Sequence, residues 1–391
     1  MNLDILNTEI QNFISENLNA DITKLLLKGT SFDNVDTKSI IEQIEAKNRC
    51  KSKLPTWFNS KNIYYPNKLN IEQTSSEIAA KYKSELVSGD SIIDLTGGFG
   101  VDCFYFSKRF KNVTHCELNT ELSNIVKYNY QQLSANNIDV FHTDGIKHLK
   151  TNHKKFDWIY IDPSRRHDSK GKVFFLKDCL PNVPEHLDVL FNISNNILIK
   201  TSPLLDISVG INELKHIKAI HVVAINNEVK ELLWELENNY DNTIKIKTVN
   251  IKKKQKETFS FVFNSNKTPT TYSKPLSYLF EPNSAILKSG GFNEISNQLN
   301  VLKLHQHSHL YTTDTLIDFP GRAFKIIKVV SYNKKEFKKL NITNANLTTR
   351  NFPETVQQIR KKLKIKDGGN LYLFFTTDNT NSKIIIVCQK A

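Results

Sequence analysis

The chain has 391 residues, 39% of them hydrophobic and 10% aromatic, enough apolar material for two or three cores and too much for a disordered protein. No run approaches a membrane span, and the start, Met1-Asn2-Leu3-Asp4, lacks the basic-then-apolar plan of a signal peptide, so a cytoplasmic protein is expected. The formal charge of +13 is lopsided: residues 1–244 carry 28 Lys and Arg against 31 Asp and Glu, while residues 245–391 carry 25 against 9. A basic module joined to a near-neutral domain suggests a polyanionic partner, and five scattered cysteines with no C-x-x-C pair argue against a disulfide framework or a zinc site.

Residues 1–58 read as a helical leader. Ile5, Ile10, Phe13, Ile14 and Leu18, then Ile22, Leu25 to Leu27, then Ile40, Ile41 and Ile44 fall at helical spacing, with caps expected near Asn19 and Asp36. Lys53-Leu54-Pro55-Thr56-Trp57 breaks the helix. Gln73, Thr74 and Ser75 precede a helix from Ile78 to Leu86, and two readings stand side by side. They contact a cofactor carboxylate, or Thr74 or Ser75 caps the helix with Glu77 nearby.

The apolar run Ser91-Ile92-Ile93 opens directly into Asp94-Leu95-Thr96-Gly97-Gly98-Phe99-Gly100. A second strand, Val113 to Cys116, ends at Glu117, twenty residues after Gly97 and placed to accept hydrogen bonds from a ribose diol. The dinucleotide fingerprint G-x-G-x-x-G, aligned on Gly98 and Gly100, meets Cys103 where its third glycine belongs. The D-x-G-x-G-x-G loop of class I methyltransferases aligns with Asp94, Thr96, Gly98 and Gly100 and loses only its first glycine, so the stretch resembles methyltransferase motif I. A third strand within 137–144 ends at Asp144, and a fourth, Phe156 to Ile161, ends in Asp162-Pro163-Ser164-Arg165-Arg166. Ligands of open α/β sheets bind at the carboxyl ends of strands, which puts Asp94, Glu117, Asp144 and Asp162 on one rim. Class I methyltransferases use the matching positions for the methionine end, the ribose, the adenine amino group and the acceptor.

Further along, Val183 to Ile193 reads as a helix, Asn196 to Ser202 as a fifth strand, Ala219 to Ile225 as another strand, and Glu228 to Leu236 as a helix with Val229, Leu232, Leu233 and Leu236 on one face. Phe259 to Phe263 closes a parallel, doubly wound α/β sheet, and residues 264–269 read as a linker. An α+β region follows, with alternating runs at Leu302 to Tyr311, Ala323 to Tyr332 and Leu371 to Phe375, a helix from Glu354 to Leu363 and a final strand from Lys383 to Val387. His305, His307 and His309 alternate on one side of the first run, where a polar face is expected and no metal.

Asp162-Pro163-Ser164-Arg165-Arg166 stands where amino-group methyltransferases carry Asp/Asn-Pro-Pro-Tyr/Phe, whose polar side chain and proline-region carbonyl orient the target nitrogen. The aromatic clamp is absent. Two arginines follow instead, favouring a phosphate-bearing substrate, with one of them expected to pair with a domain carboxylate. Asp-Pro-Ser-Arg also resembles the Asp-Pro-Pro-Arg of RNA uracil C5-methyltransferases, which need a cysteine nucleophile after the fifth strand. This chain has Lys200-Thr201-Ser202-Pro203 there, and Cys179 lies elsewhere, so a nitrogen acceptor is expected.

The chain as a whole resembles bacterial class I methyltransferases with a C-terminal THUMP-like domain preceded by a small ferredoxin-like segment. Lys53 to Trp57, Glu72 to Glu77, Asp94 to Asp102, Asp162 to Arg166, Tyr278-Leu279-Phe280-Glu281-Pro282 and Thr349-Arg350-Asn351-Phe352-Pro353 carry the resemblance, which spans residues from about 50 to the end. With the helical leader over 1–58 and the Rossmann-like methyltransferase domain over 59–265 expected from the element pattern, it implies a methyltransferase fold, a small ferredoxin-like segment over 266–320 and a THUMP-like domain over 321–391. The cofactor it implies is S-adenosylmethionine, held by Gln73, Thr74, Ser75, Asp94, Thr96, Gly97, Gly98, Gly100, Glu117 and Asp144. The catalytic residues expected are Asp162, Pro163, Arg165 and Arg166; the resemblance implies RNA, tRNA or rRNA, as substrate, and the charge asymmetry predicts that the basic C-terminal region binds it, with the run Arg360-Lys361-Lys362-Leu363-Lys364-Ile365-Lys366 contributing. Two other readings remain open at this level: an RNA-binding protein that retains the fold without catalysis, and a methyltransferase of a protein or small molecule.

Overall fold

A computed structural model describes residues 1–165, 175–253, 255–265 and 269–391. The chain divides into two compact units, Met1–Lys218 with Leu232–Asn242, and Ala219–Glu231 with Thr243–Ala391. No helix among the described residues is long and apolar enough to cross a membrane.

In the first unit the leader forms α1 (Thr8–Glu16), α2 (Ile22–Lys28), α3 (Thr37–Lys53) and α4 (Pro55–Asn59), followed by α5 (Lys68–Gln73) and α6 (Glu77–Leu86). Asp36 caps α3 as expected, but α2 is capped by Asp21 rather than Asn19, its carboxylate accepting the amides of Thr23 and Lys24. Proline explains the break after Lys53. It cannot continue α3 but suits the first position of α4.

The strands β1 (Ser91–Asp94), β2 (Asn112–Glu117), β3 (Ile138–His142) and β4 (Trp158–Ile161) alternate with α7 (Val101–Phe106), α8 (Thr120–Gln132) and α9 (Gly145–Asn152). A short ladder, β5 (Ser164–Arg165) against β6 (Cys179–Leu180), precedes α10 (Val183–Phe191), β7 (Asn196–Thr201) and α11 (Ile207–Glu213). Strands β3, β2, β1, β4 and β7 lie side by side in that order, all parallel. The chain leaves β1 toward β2 and β3, then returns to β4 and β7 on its other side. That reversal opens a crevice at the carboxyl ends of β1 and β4, where ligands of doubly wound sheets bind.

Two long strands follow, β8 (Ile217–Ile225) and β9 (Glu228–Glu237). The second corrects the helix expected over Glu228 to Leu236. Asn226 and Asn227 both take positive φ, 50° and 66°, the backbone of a tight hairpin turn. Leu232, Leu233 and Trp234 are all fully buried, as in a strand covered on both faces, so their spacing mimics a helical stripe. In the first unit Leu232 to Glu237 run antiparallel to β7, and the Trp234 indole donates to Thr201 Oγ1 at 3.0 Å.

In the second unit β8 runs parallel to β10 (Lys245–Ile251), a strand the sequence reading did not anticipate, and β11 (Lys256–Val262) closes antiparallel on β10. A separate sheet follows from β12 (Tyr278–Pro282), β13 (Leu302–Lys303), β14 (Tyr311–Thr313), β15 (Gly321–Ser331), β16 (Asn346–Arg350), β17 (Leu371–Thr377) and β18 (Lys383–Lys390), in the order β13-β14-β12-β15-β18-β17-β16. Between them lie α12 (Ser284–Ser289), α13 (Phe292–Leu299), α14 (Lys334–Lys338) and α15 (Val356–Leu363). Leu279, Leu304, Leu310, Phe324, Phe374 and Ile386 form one core, and Phe337 of α14 and Ile359 of α15 pack with Leu373, Phe375, Ile385 and Val387 in another.

The histidine run is not a strand. The chain turns between β13 and β14, with His309 at a φ of 50° and its ring stacked on Phe292. His305 Nδ1 accepts the Asn351 amide and the His307 N–H, while its Nε2 meets Asn381 Oδ1 at 3.0 Å. His305 is thus a connector between turns, and no cluster of metal-binding side chains occurs among the described residues.

Candidate active site

Asp94 ends β1 with its carboxylate buried. Oδ1 accepts the Thr96 N–H at 2.9 Å and the Thr96 hydroxyl at 3.2 Å, and the Cys103 thiol donates to Oδ2. Burial, reinforced by the nearby carboxylates of Asp102 and Asp162 and opposed by the Thr96 amide, pushes the acid up to about 7.

Two glycines of the loop have a steric reason to be glycine. A Cβ on Gly97 would stand 2.1 Å from the His115 ring, and one on Gly100, whose φ is 78°, would stand 2.2 Å from the Tyr130 hydroxyl. His115 is buried, and desolvation takes its imidazole down to about 3, so it packs under the loop as a neutral ring. The Gly98 N–H donates to Glu117 Oε2 at 2.9 Å, and Asn119 N–H to Oε1 at 2.7 Å. The carboxylate at the end of β2 is thereby fixed beside the loop. At the end of β3, Asp144 caps α9, accepting the Lys147 N–H at 2.8 Å.

Of the three polar residues before α6, Gln73 is exposed and Thr74 half-buried, but Ser75 turns inward. Its hydroxyl donates to Asp102 Oδ2 at 2.9 Å and accepts from Lys83 Nζ at 2.8 Å. The cap of α6 is Ser76, one residue after the pair considered from sequence. Lys83 is fully buried, its ammonium 3.1 Å from Asp102 Oδ1, and the Tyr160 hydroxyl of β4 donates to Asp102 Oδ2 at 2.9 Å. Sequence reasoning missed Lys83 and Asp102 as a pair. A lysine on a helix nineteen positions before an aspartate carries no periodic signal.

At the end of β4, the Asp162 N–H donates to Thr96 Oγ1 at 2.7 Å, and the Asp162 carboxylate forms an ion pair with Lys200, the penultimate residue of β7. Pro163 is buried. Arg165 pairs through its backbone with Cys179, and Arg166 lies outside the described residues. Cys179 is buried, its thiol directed at the Phe175 carbonyl.

Comparison with known proteins places the chain in a family. A ferredoxin-like domain family matches residues 278–320, and a THUMP domain-like family matches residues 321–390. The crystal structure of a methyltransferase candidate from Porphyromonas gingivalis W83 has a TM-score of 0.89 and 30% sequence identity, covering 99% of this chain and 98% of that one. The chain belongs to that methyltransferase family. It is a methyltransferase with a THUMP domain-like C-terminus. Among curated relatives, N-methyltransferase 4 of Papaver somniferum is 30% identical over 97 residues, 24% of this chain and 27% of its own length. An uncharacterised RNA methyltransferase of Mycoplasma mobile is 31% identical over 84 residues, 21% of this chain and 23% of its own length. The chain therefore spans about a quarter of the length of these two relatives.

Proposed function

We propose that this methyltransferase modifies a base nitrogen of RNA, either tRNA or rRNA. The observation that carries the reading is the Thr96 hydroxyl, which ties Asp94 on the glycine loop to Asp162 on the fourth-strand turn, so that cofactor and acceptor groups share one support. The site fits S-adenosylmethionine: Glu117 takes the ribose diol, Asp144 the adenine amino group, and Asp94 with Gln73 and Thr74 the charged methionine end. Gly97, Gly98 and Gly100 let the loop backbone close on the ligand. Ser75 contributes from behind, through Asp102.

When bound, S-adenosylmethionine would supply a methyl group already activated by positive charge and would leave as a neutral thioether, the surplus proton of the methylated nitrogen passing to the Asp162 carboxylate or to solvent. Asp162 and the Pro163 carbonyl accept the N–H bonds of the acceptor and aim its lone pair, while Arg165 and Arg166 hold a neighbouring phosphate.

RNA as substrate is supported by the THUMP domain-like match, by the Mycoplasma mobile relative's description and by charge. Lys334, Lys335 and Lys338 on α14 and Lys361, Lys364 and Lys366 on and after α15 are exposed, on helices whose buried residues Phe337 and Ile359 pack against the sheet. Such a face binds phosphate before any base is read. The working division is leader 1–58, methyltransferase domain 59–265, ferredoxin-like segment 266–320 and THUMP-like domain 321–391. Mass spectrometry of RNA nucleosides from a deletion strain and its parent tests the function. One methylated base should vanish in the deletion and return on complementation, and unchanged nucleoside profiles would overturn the reading.

A further inference from the structure

Lys200 belongs to no part of the site read from sequence. In the parallel register of β4 and β7, Tyr160 faces Leu198 and Ile161 faces Ile199. Asp162 and Lys200 are the next step of that ladder, side by side at the carboxyl ends of neighbouring strands and on the rim where ligands bind. The Lys200 side chain is only 15% exposed, and its ammonium reaches Asp162 Oδ2. On its other side the strand pairs with apolar Leu233.

Stability is a poor explanation for that arrangement. A mostly buried ion pair gives back in attraction about what it costs in desolvation, and an apolar side chain of similar size does as well or better. The pair's consequence is orientational. Asp162 is fixed at two points, its N–H by Thr96 Oγ1 and its Oδ2 by Lys200, and among the described residues nothing donates to Oδ1. One oxygen of a carboxylate held at its other end is left for a ligand, on a side chain that is 31% exposed.

We propose that Lys200 is a positioning residue for transfer, holding Asp162 so that Oδ1 is presented to the acceptor nitrogen. This rests on the reading of Asp162 as the acceptor-binding carboxylate. Lys200 acts through Asp162 and does not itself touch the base. A free carboxylate would rotate about its Cβ–Cγ bond and sample orientations in which neither oxygen meets the acceptor, whereas the paired one is preorganised.

The test measures methyl incorporation from tritiated S-adenosylmethionine into total RNA of a deletion strain, with calorimetric titration of the same preparations by S-adenosylhomocysteine. Lys200→Met should lower kcat about 10- to 100-fold, the scale of a misplaced reacting group, while the KM for RNA and the affinity for S-adenosylhomocysteine stay within about threefold of wild type. Lys200→Arg, which keeps a cation within reach, should retain about tenfold more activity than the Met variant. Lys200→Gln replaces the Met variant if that protein does not fold. Full activity without the ammonium, a loss that follows cofactor affinity, or an Arg variant no better than Met overturns the positioning role while leaving the RNA reading intact. A wild-type protein that binds S-adenosylhomocysteine but labels no RNA removes that reading, and this inference with it.

Discussion

The hydroxyl of Thr96 accepts the backbone N–H of Asp162 at 2.7 Å. The same hydroxyl donates to Asp94 Oδ1, so one oxygen links the turn after β1 to the turn after β4, across the point where strand order reverses. Thr96→Val keeps the shape and removes both bonds. It should reduce stability by about 1–3 kcal/mol, because the half-buried Asp162 N–H is left without its partner, and should lower turnover more than S-adenosylhomocysteine affinity. Chemical denaturation, calorimetry and methyl incorporation check the three quantities. Equal losses of turnover and affinity would separate Thr96 from the acceptor side.

Asp94 should make cofactor binding depend on pH. Its folded acid titrates near 7, above the ordinary 3.8, so the native state holds a proton that the unfolded chain releases. Stability from this group is fully present below about pH 4 and is lost as pH rises toward 7, where the buried carboxyl must ionise. The cofactor's α-ammonium reverses the balance by favouring the carboxylate. Affinity for S-adenosylhomocysteine should therefore rise from pH 6 to pH 8 with release of a proton, and Asp94→Asn should flatten the dependence. Calorimetry in buffers of different ionisation enthalpy measures the proton directly. A pH-independent affinity would remove Asp94 from the methionine end.

Asp102 holds the charge of a fully buried lysine. Asp102→Ala removes a carboxylate 3.1 Å from the buried Lys83 ammonium and should cost up to about 3–5 kcal/mol of unfolding free energy. The double variant Lys83→Met, Asp102→Leu should recover much of that loss, because the desolvation of both charges disappears together. Ser75→Ala should cost about 1 kcal/mol. A mild Asp102→Ala phenotype in denaturant titration would mean that the ammonium finds another partner.

The glycine loop, Glu117 and the Asp162 turn were legible because each is a short local pattern at a strand end. What the sequence reading missed depends on pairing across strands. Val229, Leu232, Leu233 and Leu236 fit a helical stripe, and only the positive-φ turn at Asn226 and Asn227 and burial on both faces make them a strand. Strand β10 escaped because the polar pair Lys247-Thr248 shifts the phase of its apolar alternation, from Ile246 to Val249 and Ile251, and because Asn250, though polar, is fully buried and donates to Glu257 of β11. Lys200 was read only as the absence of a cysteine. Its partner lies 38 positions earlier, and nothing but the parallel register of β4 and β7 brings the two together.

The lysine face of α14 and α15 should bind RNA as a polyelectrolyte. Lys335, Lys338, Lys361 and Lys364 are exposed and pair with no acidic group among the described residues, whereas Lys339 pairs with Glu336 and Lys362 with Glu354. Replacing the first four by alanine should weaken tRNA and rRNA binding and reduce the slope of log affinity against log salt by about 0.7–0.9 for each phosphate that is no longer neutralised. Replacing Lys339 and Lys362 should do less, since those charges are already compensated on the protein. Sequence preference should be unchanged in both sets, because binding to phosphate carries no base information. Filter binding from low to moderate salt, with S-adenosylhomocysteine affinity as a control for folding, separates the outcomes. Two sets of variants with equal effects would mean that overall net charge, and not this face, governs RNA capture.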